Sequence, residues 1–325
     1  MALYIQQPSF EKNVTVDTET LPGIGRNEWL KYHFARKPLR TEDTMLSNLE
    51  VIYTEKAKRI VSFDQARREV AQEIYETKPK DRPLWVAMSG GCDSELVART
   101  FLELGIPFTP VIVDSWYFAV HMNYADTWWA YRWCKKNNIE PWAIRMDTTE
   151  TFFANMAIVE KVKARKTWSI INAHISDLVK ERDNGILING QAFPEYYPDH
   201  TMDYIKGSTF YDEFSKYNRT GWIMHECDFY VNMNDRSNTF YNFLSWTPEI
   251  VLAYYMERDM NAPSEDNKHR IMGLEPRPKM ASPDLPYFNV FGEAQRKLRL
   301  TRGTSEVTWL GTHEQMYQAL YDPIS

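Results

Sequence analysis

Between residues 84 and 189 short apolar runs alternate with stretches of helical periodicity. "LWVAM", 84–88, is apolar without alternation, the pattern of a strand buried on both faces. Leu96, Val97, Phe101 and Leu104 recur on one face of a predicted helix over 93–104, which Gly105 ends. "FTPVIVD" predicts a second strand, 108–114, followed by a helix over 122–137 and a third strand, "PWAIRMD", 141–147. Asp147 and Glu150 are placed to cap a third helix, 148–165. A fourth helix runs through "TWSIINAHISDLVKERDN" to Gly185, and "ILIN", 186–189, is a fourth strand. Strands alternating with helices at this spacing predict an α/β fold. Its parallel twisted sheet carries helices on both faces, joined by right-handed crossovers.

The flanks have another texture. Residues 1–60 are polar, mixed in sign and weakly periodic, and read as an N-terminal extension. Gly23-Ile-Gly25 has no preceding strand and no third glycine, so it is not a dinucleotide fingerprint. "SFDQARREVAQEIYE" predicts a helix with Ser62 and Gln65 as a capping box and Pro79 as its stop. After about residue 200 the chain becomes aromatic, polar and rich in turn residues. "FYVNMNDRSNTFYNF" is read as holding a strand, and Thr247 and Pro248 open a helix in "TPEIVLAYYMERD". A last helix is expected from Thr312, with Gln315 completing a capping box. The expected organisation is therefore an extension (1–60), an α/β unit (61–200) and an irregular, partly helical substrate or lid region (201–325).

Composition narrows the chemistry. The net charge of −6 excludes a whole-protein basic field for holding nucleic acid and leaves a local groove open. Three distant cysteines, Cys92, Cys134 and Cys227, offer no CxxC pair, and the histidines have no ligand spacing. The first residues lack a basic stretch followed by an apolar one, and no apolar run approaches a membrane span. The expectation is a cytoplasmic protein with no membrane partner. Aromatic residues make up 14% of the chain and are spread along it, which suits core filling. Trp128, Trp129 and Trp133 also offer stacking surfaces for bases, on a helix that needs a core face.

The densest candidate chemistry is "SGGCDS", 89–94, between the first strand and its helix. A helix N-terminus presents backbone N–H groups and a dipole that favour an anion. Glycine lets a phosphate approach the backbone, and Ser89 and Ser94 add hydroxyls. On this reading Gly90→Val fills phosphate space and leaves the fold largely intact. Asp93 repels phosphate unless a divalent cation, Mg²⁺, lies between them. No GxxxxGK[ST] loop occurs in the chain.

"SGGCDS" resembles the SGGxDS signature of the PP-loop ATP pyrophosphatases, over roughly residues 60–200. The family includes the ATP-using domain of asparagine synthetase, which this chain resembles in feel, along with GMP synthetase, NAD synthetase and tRNA-modifying enzymes. The resemblance implies ATP with Mg²⁺, the pyrophosphate held by Ser89, Gly90, Gly91, Cys92, Asp93 and Ser94, and the metal held by Asp93. It implies that adenine passes Val113 and Asp114, and that a second motif follows the fourth strand at "LINGQAFPE". There Gly190 is kept, Gln191 replaces the usual acid, and Glu195 is the carboxylate within reach. In asparagine synthetase-like enzymes a C-terminal lysine assists the leaving group. Lys268, Arg270, Arg277 and Lys279 lie in the matching tail, so Asp93, Glu195 and Lys279 are the implied catalytic residues.

The family cleaves ATP to AMP and pyrophosphate, usually adenylating a substrate. The expected activity is adenylation of a carboxylate or carbonyl oxygen, then attack by ammonia or an amine. With Ala2 at the second position no built-in N-terminal cysteine glutaminase is expected, and a separate ammonia donor or glutaminase is the expected partner beside a small-molecule or nucleotide substrate. Two other readings stay open. One is a nucleic-acid-modifying or sulfonucleotide reductase-like enzyme, to which Glu226-Cys227 bears a faint likeness. The other is a nucleotide-binding protein without catalysis, which Gln191 supports.

Overall fold

The structure is a computed structural model that describes residues 18–24, 29–35, 49–117, 120–121, 123–147, 167–190, 195–197, 221–225, 240–257, 269–274, 307–311 and 313–321. Three strands come first: β1 (Thr18–Ile24), β2 (Leu30–Ala35) and β3 (Leu49–Tyr53). The α/β stretch then runs α1 (Phe63–Thr77), β4 (Leu84–Ala87), α2 (Cys92–Glu103), β5 (Thr109–Tyr117), β6 (Val120–His121), α3 (Tyr124–Lys136), β7 (Trp142–Asp147), α4 (Thr167–Asp183) and β8 (Ile186–Asn189). Beyond it lie β9 (Glu195–Tyr197), β10 (Gly221–His225), β11 (Phe240–Asn242), a 3-10 turn (Phe243–Ser245), α5 (Pro248–Glu257), β12 (Val307–Gly311) and α6 (His313–Leu320).

Five strands run parallel in the order β11-β8-β4-β5-β7, and β6 folds back antiparallel on the end of β5. Strand alternation sorts the side chains into two layers. Leu84, Val86, Ile186, Ile188 and Ile112 join the main core with Leu96, Val97 and Phe101 of α2 and Ile250 and Leu252 of α5. Trp85 and Leu187, paired across β4 and β8, point to the other face. There Trp85 Nε1 donates to Asp183 Oδ1 of α4 at 3.1 Å, and Arg182 covers the Trp85 and Trp142 rings. Both faces therefore carry helices, and the fold is α/β and Rossmann-like. The four predicted strands lie within two or three residues of their expected bounds, and all four β8 residues are buried. The expected third helix, 148–165, lies outside the described residues.

The sheet takes its fifth parallel strand, β11, from beyond residue 200, at the end of the stretch "FYVNMNDRSNTFYNF" that was read as holding a strand. Behind it α5 packs on α1, with the Phe63 and Tyr254 rings edge to face at 5.9 Å. Pro248 opens α5, and Ile250 N–H donates to Thr247 Oγ1 at 3.4 Å. Ser62 caps α1 as expected, accepting from Gln65 N–H at 3.2 Å. The reciprocal half of the capping box is replaced. Gln65 Nε2 turns to Glu69 Oε1 at 2.9 Å, and Phe63 N–H goes to Glu257 Oε1 at 2.6 Å.

Arg67 ties α1 to α2. Its guanidinium donates to Thr100 Oγ1 at 2.9 Å and Glu103 Oε2 at 2.8 Å, and also pairs with Asp64. Burial works against the Glu103 charge, yet hydrogen bonds and attraction from Arg99 and Arg67 outweigh it and hold the carboxyl below its usual range.

Within residues 1–60, read only as an extension, β1, β2 and β3 form an antiparallel sheet. Gly23 lies inside β1. Trp29 is 1% exposed, and its Nε1 donates to Ser245 O at 2.9 Å, which anchors this sheet to the main core. A third sheet has the order β12-β10-β9. Helix α6 buries Met316, Ala319 and Leu320, its His313 ring stacks on Tyr255 at 3.8 Å, and Ala57 N–H donates to Leu320 O at 2.7 Å. Thr312 lies outside the described residues. No helix among the described residues is long and apolar enough to cross a membrane.

Candidate functional site

β4 ends at Ala87, and Met88 N–H still donates to Val111 O of β5 at 2.8 Å before the chain turns away. Four residues later α2 begins. Its cap is Gly91, which makes no side-chain cap hydrogen bond. A glycine cap brings no hydroxyl or carboxylate of its own to the first turn of the helix. A Cβ at Gly91 would meet only Ser89 Oγ, at 3.4 Å, so the backbone can be approached at this position.

The loop is braced from within. Ser94, 6% exposed, donates its hydroxyl proton to Gly91 O at 2.9 Å and lies 3.2 Å from Ser89 Oγ. Gly91 N–H donates to Ser89 Oγ at 3.3 Å. Ser94 thus shapes the turn, while exposed Ser89 has a hydroxyl that rotation can turn to a ligand. Gly190, just past β8, also belongs to this packing. A Cβ there would stand 2.8 Å from Asp93 O, so the absence of a side chain seats the end of β8 against the start of α2.

Gly90 corrects the expectation drawn from sequence. It is buried, has φ +88°, and its Cβ would stand 1.8 Å from Asp126 O at the start of α3. Its small size serves the seating of α3 against the loop, so Gly90→Val perturbs the fold.

Asp93 is half-buried in the first turn of α2, with Glu95 two residues on. Both carboxylates suit the helix dipole and both repel a polyphosphate. Cys92, buried, donates its thiol to Asp93 Oδ1 at 3.6 Å. Among the described residues no three of His, Cys, Asp and Glu cluster as metal ligands. A cation at Asp93 would then take one protein carboxylate and fill its sphere with phosphate oxygens and water, a set that fits Mg²⁺.

Val113 and Asp114 lie on β5 beside the loop. Val113 O accepts from Asn123 Nδ2 at 2.7 Å. Asp114 Oδ2 accepts from Tyr131 at 2.6 Å, and His121 Nε2 approaches Asp114 Oδ1 at 3.2 Å without hydrogen-bond alignment. Burial, then the bond to Asp114, pushes the Tyr131 hydroxyl well above its ordinary range. His121 stacks on Trp116 at 4.7 Å, and Arg145 covers the Trp116 ring at 4.4 Å. Asn123, Tyr131 and His121 escaped the sequence reading. The predicted helix began at 122 and so hid Asn123, whose position just before α3 is the signal that could have found it.

Glu195 opens β9, paired with Ile223 of β10, in a sheet separate from the parallel one. Gln191 and Lys279 lie outside the described residues, as do Lys268, Arg277 and Cys227. Arg270 donates to Glu257 O at 2.6 Å at the end of α5. The neighbouring Gly273 O accepts from Arg99 of α2 at 3.0 Å. Of the three tryptophans in α3, Trp133 is buried and Trp128 is 41% exposed, with Arg132 5.2 Å over its ring.

No family model matches the chain, and no curated protein does. Among solved structures it is similar to an NH3-dependent NAD synthetase from Campylobacter jejuni, at 17% identity and a TM-score of 0.30 over 40% of this chain and 57% of that one. The chain thus spans a little over half that synthetase's length. It is similar to NMN synthetase from Francisella tularensis, at 15% identity and a TM-score of 0.32 over 74% of this chain and 96% of that one. It is also similar to the U34-tRNA thiolase NcsA from Methanococcus maripaludis, at 12% identity and 0.32 over 73% and 80%. Scores at this level do not establish a shared fold, and the fold described above rests on the strand order itself.

Proposed function

We propose that the chain is an ATP-using enzyme of the PP-loop pyrophosphatase type, which adenylates a carboxylate or carbonyl oxygen and releases pyrophosphate. The observation that carries this reading is the "SGGCDS" loop, set between a buried parallel strand and a glycine-capped helix whose backbone can be approached at Gly91. Ligands of open α/β sheets sit at the carboxyl ends of the strands, where this loop lies. The first turn of α2 and Ser89 would hold the β- and γ-phosphates together as the leaving group. Asp93 would hold Mg²⁺, which supplies charge neutralisation between carboxylate and phosphates. Without a Walker lysine to polarise the terminal phosphate, attack on the α-phosphorus is the favoured course. An amide-forming step with ammonia or an amine, Glu195 and Lys279 as aids to proton transfer and the leaving group, and a separate ammonia donor complete the reading.

The test follows the label of α-³²P ATP incubated with protein, Mg²⁺ and cell extract. AMP and pyrophosphate are expected, and accumulation of ADP by the purified protein would overturn the assignment. Asp93→Asn is expected to remove the difference in ATP affinity between Mg²⁺ and EDTA. Equal affinity of wild type in both would refute the metal role.

A further inference from the structure

β8 and β11 run side by side and parallel, with Asn242 in register with Asn189. Each residue ends its strand. Two carboxamide side chains therefore stand next to each other at the carboxyl end of the sheet, on strands about 4.8 Å apart. They follow Phe240 and Leu187 by two positions, which sets them on the same face of the sheet as Trp85. One residue past Asn189, Gly190 is seated against Asp93 O at the start of α2, so the pair lies beside the candidate phosphate loop.

Asn242 is 3% exposed, and neither its Nδ2 nor its Oδ1 has a hydrogen-bond partner among the described residues. Asn189 is nearly as buried, at 7%. The ordinary local use of an asparagine is closed at Asn242: it precedes the 3-10 turn, yet its side chain makes no cap bond there. A buried carboxamide with its hydrogen bonds unmade costs stability that a leucine of similar size would not. A fold that keeps such a group at the ligand-binding end of its sheet points to a partner from outside the chain.

The pair carries no formal charge. It can exchange hydrogen bonds with a buried ligand group but gives a carboxylate or an ammonium no counter-charge. A neutral amide, whether carboxamide or lactam, presents an N–H donor and a carbonyl acceptor side by side, the complement of the Asn242 side chain. We propose that Asn242, with Asn189 as its neighbour, forms a subsite that selects a small-molecule substrate by a neutral amide group. The amide oxygen accepts from Asn242 Nδ2, and the amide N–H donates to Oδ1. That this amide belongs to the molecule adenylated at the loop rests on the nucleotide reading of the loop.

Acetamide and acetate, which share a methyl group and differ in charge, are the probes, each titrated into the full chain labelled with ¹⁵N at asparagine. The side-chain amide signal of Asn242, identified by its loss in Asn242→Leu, is expected to shift saturably with acetamide. The same shift is expected to need at least about 10-fold more acetate. A signal unmoved by acetamide, or moved equally by acetate, would overturn the subsite and leave Asn242 a group served by buried water. The urea midpoint of Asn242→Leu is expected to equal or exceed that of wild type, because the substitution removes a buried polar group without a partner. A lowered midpoint would mark a structural role and overturn the proposal. Pyrophosphate, titrated separately, reports on the loop. Pyrophosphate binding beside an Asn242 signal that acetamide leaves unmoved would overturn the subsite and leave the loop reading standing. A response to acetamide in a protein that binds neither pyrophosphate nor ATP would overturn the loop reading and, with it, the assignment of the amide to an adenylated substrate.

Discussion

A methyl group at Gly90 would stand 1.8 Å from the Asp126 carbonyl oxygen, whereas at Gly91 it would touch only Ser89 Oγ. The two neighbours in "SGGCDS" therefore answer substitution differently. Gly90→Ala meets backbone that cannot yield and a φ that side chains rarely adopt, so it is expected to destabilise the protein by about 3 kcal/mol or more. Gly91→Ala is expected to lower stability by about 1 kcal/mol or less and to weaken pyrophosphate binding. Urea unfolding beside pyrophosphate titration separates the two, and a Gly90→Ala protein as stable as wild type would contradict the packing described. The motif was legible in the sequence because its glycines, serines and aspartate stand at a strand-to-helix junction. The division of labour between its glycines was not, because Asp126 is a partner brought from 36 positions away only by the seating of α3 (positions 90 and 126).

At the scale of elements, the clamp between α1 and α2 holds the helix whose N-terminus forms the site. Arg67 is nearly buried and serves Thr100 and Glu103 together. Arg67→Ala is expected to remove about 2 kcal/mol, read as a lower urea midpoint with unchanged slope. Because the folded Glu103 carboxyl is held below its usual range, its contribution is present in full above the ordinary carboxylate pKa of about 4.3 and is lost as pH falls through the lower folded value. The stability gap between wild type and Glu103→Gln is therefore expected to be constant at neutral pH and to close in acid. A gap that widens in acid would reverse the assigned direction. The strands and helices of the α/β stretch were readable because β4 and β8 are continuous apolar runs and α2 keeps one apolar face. The strands β1 to β3 were not, because their pairing is set by partners rather than by an alternation visible in one segment.

Across the whole molecule, the N-terminal sheet meets the main core at Trp29. Trp29→Phe keeps a ring in place but leaves the buried Ser245 O without its donor, and is expected to lower stability by about 1–2 kcal/mol. Equilibrium unfolding followed by far-UV signal and by proteolysis of residues 18–53 would show whether the sheet loosens ahead of the core; an unchanged midpoint would deny Trp29 its anchoring role. The fold class was legible because alternation of strand and helix constrains topology. The fifth strand was expected as an element but not as a member of this sheet, because it is only three residues long and lies 51 positions after β8 (189 to 240). That separation has a consequence for the chain as it leaves the ribosome. β8 emerges with all four residues destined for burial and one edge still bare until β11 has been made. At ~5–20 residues per second of synthesis the exposed edge persists for several seconds. During that interval the nascent chain offers an apolar strand to its neighbours, so its soluble yield is expected to rise when a holdase chaperone is co-expressed, and an unchanged yield would deny the exposed edge any cost.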